Sequence, residues 1–282
     1  MSLRPNPRRE STQARLASLS LPASGAWLAR ARTEARDRLE RMGLPQRRDE
    51  YWRFSDPSSL TAPAPVAAAP FADDEGPAFP EANALRVTFV DGRFDAGSSD
   101  ALALEGVEVA RLAEAGALDL HWAQGLYGTL EAEGQAPVPR PLATLNSAFA
   151  TDGLLIRVTG RAARPIHIVH RHEDAGSDAV LHHVVKVEAG ASATILESGP
   201  GAARLNSVVE VDVAEGAELH HVRVQGRDHE RRTATHVFAR LAAGAHLRSF
   251  TLTFNGVLTR NEAVVWLKGD GAVAHLAGAA VG

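Results

Sequence analysis

Hydrophobic positions fall into two regimes along the chain. In the first half they follow helical spacing. Across 24–43, Leu28, Ala31, Ala35, Leu39 and Met42 recur on one face, with Ser24 placed to cap the start and Gly43 and Pro45 to end it. From Leu154 onward the period changes to two. LLIRVTG and PIHIVHRH read as strands, and four Gly-Ala steps follow at Gly190, Gly216, Gly244 and Gly271, spaced 26, 28 and 27 residues apart. Ala191, Ala217, Ala245 and Ala272 suit a tight inward corner. Ala193, Leu219, Leu247 and Ala274 lie two steps further, and Ser192, Glu218, His246 and Val273 alternate with them as outward positions. A unit of strand, glycine turn and strand cannot bury its apolar face alone and must stack on its neighbours. The expected fold is a right-handed parallel β-helix with coils of about 27 residues. Gly160 marks a degenerate first coil, and a small α/β region precedes the whole.

Between these regimes lie shorter elements. LRVTFV (85–90) is a strand closed by the Asp91-Gly92 turn, and VEVA (107–110) is another. Residues 111–131 read as helical pieces, and LATLNSAFATDG as a short helix. The expected organisation is a helical segment 1–56, a Pro/Ala-rich linker 57–83, a small α/β region 84–150 and a β-helix 151–282. The three rings of Tyr51, Trp52 and Phe54 are expected to dock on a neighbouring core while the adjacent charges stay wet. The last turn, LKGDGA, is one residue longer than the others, so a shift or bulge is expected in the strand before it. The chain stops within a coil, as a C-terminally truncated subunit would, leaving open strand edges that favour self-association.

Composition narrows the function classes. A net charge of −4 and a pI near 6.3 give no general basic field for nucleic acid or anionic lipid. No apolar run is long enough for a membrane span, and the basic N-terminus lacks the apolar core of a secretory signal. The expected location is cytoplasmic. Cysteine is absent, which removes disulfides, thiolate nucleophiles and Cys-ligated metal from this chain. Twelve histidines are the one chemical excess. His170 and His172 share a strand face, and the next coil brings His182 or His183 towards them, so these four are the candidate metal ligands. Isolated histidines are more often satisfied structurally. Glu188, Glu210, Asp212, Glu215 and Glu218 read as turns and a solvated face, and no catalytic residue is assigned. Two other readings stay open: a carbohydrate-active β-helix enzyme, needing an acidic column on one sheet face, and a His-based metal-binding module.

Several segments together resemble the SufB/SufD family of iron–sulfur cluster assembly proteins: AWLARARTEARDRLERMGLPQRRDEYWRFSD (26–56), FVDGRF (89–94), LNSAFATDGLLIRV (145–158), RPIHIVH (164–170) and NEAVVWLKGDGA (261–272). The missing cysteine places the resemblance nearest the SufD branch. It implies a non-catalytic scaffold built on a β-helix, with SufB-like and SufC-like partners. It also implies a cluster assembled by the parent complex, with no cofactor bound by this chain alone. The family's C-terminal partner-binding helices have no counterpart before Gly282.

Overall fold

The computed structural model describes residues 6–71, 78–226 and 228–282. Helix α1 (Pro7–Ala17) starts with Asn6, whose side chain accepts the amides of Arg8 and Arg9. Sequence reading places no helix there, because its apolar face is only Leu16 and its basic composition hides it. Helix α2 (Ala26–Met42) begins after Gly25 with no side-chain cap, so Ser24 does not cap it. Gly43, at φ 69°, ends it as expected. Its buried face, Trp27, Leu28, Ala35 and Leu39, meets the short helices α4 (Leu112–Ala115) and α5 (Thr129–Glu133) and the longer α6 (Pro141–Phe149).

The aromatic segment divides. Trp52 is buried with Arg260 over its ring, but Tyr51 is 57% and Phe54 94% exposed, so one ring of the three docks. Within 57–83, a helical turn α3 (Ser58–Thr61) forms and Ala68 is buried, its amide bonded to the Ala175 carbonyl; 72–77 lie outside the described residues. Arg15 and Arg204, both nearly inaccessible, converge on Asp178 and fasten α1 to the solenoid (2.8 and 2.6 Å).

The strands form two seven-stranded sheets. Five coils each give one strand to either sheet. They are β5 (Leu154–Val158) with β6 (Ile166–Arg171), β7 (Asp178–Val187) with β8 (Ser192–Ser198), and β9 (Arg204–Val213) with β10 (Glu218–Gln225). β11 (Arg232–Leu241) with β12 (His246–Phe254) and β13 (Leu258–Leu267) with β14 (Val273–Val281) complete the set. All stack in parallel register. The first coil is extended by β1 (Leu85–Val90), parallel to β6, and by β4 (Val107–Arg111), antiparallel to β5. Short partners β2 (Arg93–Phe94) and β3 (Ala103–Leu104) finish the two sheets. The architecture is thus the expected parallel β-solenoid, with helices preceding it and packed on one face.

The Gly-Ala steps turn the corners. Gly190, Gly216, Gly244 and Gly271 have φ between 62° and 70°, where L side chains are strained. The amides of Gly190, Gly216 and Gly244 donate to Glu215, Ala243 and Asp270 of the next coil, so the corners form their own ladder. The extra residue of LKGDGA stays in the turn: β11 and β13 pair without interruption from Arg232↔Leu258 to Leu241↔Leu267, and β14 resumes at His246↔Val273. The expected bulge is absent because the corner can lengthen without disturbing either ladder.

Strands β5, β7, β9 and β11 are buried on both faces. Leu155, Val180, Val184, Val208 and Phe238 turn outward under the helices, which explains their near-continuous apolar runs. No helix of the described residues is long and apolar enough to cross a membrane.

Candidate functional site: a polar lane inside the solenoid

The solenoid interior is not uniformly apolar. Near the Gly-Ala corners it is filled by Ala193, Leu219 and Leu247 from one sheet and Val187, Val213 and Leu241 from the other. Further along the same inward faces the chemistry changes. The register puts Glu197 beside Arg223 and Thr251, and His221 beside Ile195 and Ser249. Facing them, Ser207, Thr235 and Asn261 align across β9, β11 and β13. Two lanes therefore run along the axis, one apolar and one polar.

Glu197 is the hub of the polar lane. Its carboxylate accepts from His221 (2.7 Å) and from Arg223 (3.0 and 3.2 Å), and all three side chains are nearly inaccessible. Burial alone would raise the Glu197 pKa. The Arg223 guanidinium with His170 and His221 outweighs it and holds the carboxyl well below the usual range. Arg223 also donates to Thr235 (2.9 Å), which reaches Asn261 (2.7 Å), and Asn261 meets Gln225 and Thr253. His221 contacts Ser249 at 3.0 Å. The lane is a connected network spanning four coils.

The four candidate metal ligands are separated. His170 and His183 do point inward, with ring centroids 6.2 Å apart beside Phe89. His183 Nδ1 accepts the Leu154 amide (3.1 Å), and burial pushes its pKa down to about 3, so the neutral ring carries its proton on Nε2. His172 is spent on Asp228 and on the Asp174 carbonyl. His182 lies on the opposite face of β7, outside the solenoid. There it bridges Asn146 (3.0 Å) and Glu210 (2.8 Å) under the ring of Tyr127. Adjacent residues in a strand point to opposite faces, so His182 and His183 could never share a site. Among the described residues no group of three His, Asp or Glu side chains is placed to hold a metal.

Glu210, expected on a solvated face, is fully buried. It accepts the amides of Gly128 (2.5 Å) and Glu131 (2.8 Å) and so clamps α5 onto β9. Outward from the solenoid does not mean wet where helices cover the sheet. Glu197 and Arg223 escaped sequence reading altogether. The available signal was their spacing of 26 residues, one coil, with opposite charges at equivalent register.

Comparison with known proteins gives two consecutive family matches. Residues 17–168 match the SufBD protein N-terminal region, and residues 170–282 match the SufBD core domain of the SUF system for FeS cluster assembly. No curated protein matches the chain.

Proposed function

This chain belongs to the SufBD family, whose members take part in iron–sulfur cluster assembly, and we propose that it serves there as a non-catalytic scaffold subunit of the SufD type. The observation that carries this reading is the pair of matches, which run in family order from residue 17 to residue 282. The proposed partners are SufB-like and SufC-like subunits, in the cytoplasm, with the cluster as cargo of the complex rather than a resident cofactor of this chain.

The geometry supports a scaffold. The two fully enclosed carboxylates of the sheets, Glu197 and Glu210, are saturated by hydrogen bonds, one holding the lane and the other a helix. A carboxylate so engaged is a poor general acid or base, which weakens the carbohydrate-active alternative. The SufD rather than SufB reading follows the absence of cysteine from residues 1–282, since a thiolate-based cluster site within them would need one. Co-expression of the full-length protein with SufB-like and SufC-like subunits tests the reading. The expected result is a stable complex by affinity capture and size exclusion; failure to associate in either pairing overturns it.

A further inference from the structure

We infer that the polar lane encloses a bound water between His170, Ser207 and Thr233. Between β6, β8, β9, β10 and β11 lies a narrow space with about 10 Å3 of room for the centre of a water-sized molecule, lined by these three residues and by Arg231 and Glu197. A space of this order, about 10–15 Å3, is the minimum that holds a water. The lining decides whether it is filled. Both ring nitrogens of His170, Ser207 Oγ, Thr233 Oγ1 and Arg231 Nε are buried without a hydrogen-bond partner. His170 is 5% exposed, Ser207 and Thr233 1%, and Arg231 0%. Four residues with orphaned polar atoms around one space are rare, because each buried polar group left unpaired costs about 1–3 kcal/mol. An apolar void of this size stays dry, whereas one with two to four polar partners takes water.

The closest approach of His170 to the hub fits the same reading. Nε2 lies 3.5 Å from Glu197 Oε2, near enough for attraction but not aligned as a hydrogen bond. A water beside it joins His170 to the hydroxyls of Ser207 and Thr233 and extends the Glu197 network back to the first coil. Other occupants fit less well. A cation would face the guanidinium groups of Arg223 and Arg231, and His183 has its Nδ1 lone pair committed to the Leu154 amide. An oxyanion is too large for the space.

The site is independent of any role in cluster assembly, so its test leaves the proposed function untouched. A high-resolution crystal structure of the full-length protein should show one ordered water within hydrogen-bond distance of His170 and of at least one of the two hydroxyls. Magnetic relaxation dispersion should count one long-lived internal water fewer in Ser207→Val/Thr233→Val than in the wild type. An empty site, a metal or buffer ion in its place, or His170 rotated into direct contact with Glu197 overturns the proposal. An unchanged water count in the folded double variant overturns it too. If that variant does not fold, the wild-type density decides.

Discussion

Replacing Glu197 by glutamine removes one charge and almost no volume, so it isolates the electrostatic role of the hub. Arg223, 4% exposed, would keep its charge inside the solenoid with only neutral oxygens, the new amide carbonyl and Thr235 Oγ1, to accept from it. Breaking a buried pair from one side costs about 3–5 kcal/mol. At about 2–4 °C per kcal/mol for a chain of this class, Glu197→Gln should lower the melting temperature by roughly 6–20 °C. The paired variant Glu197→Met/Arg223→Met removes both charges and refills the lane with apolar volume. It strands only the His221 imidazole, at about 1–3 kcal/mol, so it should be more stable than Glu197→Gln. Urea unfolding of the wild type, Glu197→Met, Arg223→Met and the pair closes a double-mutant cycle. The expected coupling is about 2 kcal/mol or more. A cost below about 1 kcal/mol for Glu197→Gln, or additive single substitutions, would refute the reasoning that this ion pair is held in a desolvated lane.

Acid should destabilise the fold well above the carboxylate range. Burial lowers the pKa of His183 to about 3, of His236 to about 4 and, with help from Arg86, of His167 to about 4. Their unfolded value is about 6.5, so as pH falls below it the unfolded chain takes up protons that the folded chain refuses. Stability is complete above that pH and is lost on descent, by about 2 kcal/mol per histidine at pH 5. Urea midpoints at pH 7 and pH 5 measure it, and a flat profile would show that these rings are solvated. Two glycines should respond very differently to alanine. At Gly216 (φ 63°) an added Cβ meets nothing within 4 Å, so only backbone strain of about 1–2 kcal/mol applies. At Gly199 (φ 102°) the Cβ would sit 1.8 Å from the His170 carbonyl oxygen, so β6 and β8 must part and the loss should exceed about 4 kcal/mol. Equal thermal shifts for the two variants would contradict the stacking at that corner.

The corners, the coil length and the strand positions were legible because glycine at positive φ and period-two alternation are local requirements that every coil repeats. The hairpin at Asp91-Gly92 was legible for the same reason, both residues having positive φ. Less local features were not. Helix α1 is held by Arg15 reaching Asp178, a contact across 163 residues that no window along the chain contains. Phe54 and Tyr51 resemble buried rings in composition, and only the docking of Trp52 under Arg260 decides which of the three turns inward. Glu210 reads as solvated and His182 as a metal candidate because the helices that cover them come from residues 128–149, far upstream.

The polar lane shows why alternation alone misreads this solenoid. In β10, Leu219, His221, Arg223 and Gln225 face inward while Val222 and Val224 face out. An apolar-inward rule holds for the first inward position and inverts for the rest, so hydrophobicity alone would favour a register slipped by one. Such a slip would bury the two valines and expose Arg223, and on an area basis it would gain apolar burial. The native register survives because Glu197, one coil away, is equally committed to the interior and must be met there by Arg223 and His221. A slip in either strand leaves the other's charge unpaired, at a cost of about 3–5 kcal/mol, whereas the two valines, already half-buried, return about 1.5–3 kcal/mol between them. The ion pair thus fixes the stacking of successive coils at the point where their hydrophobic pattern would let it go.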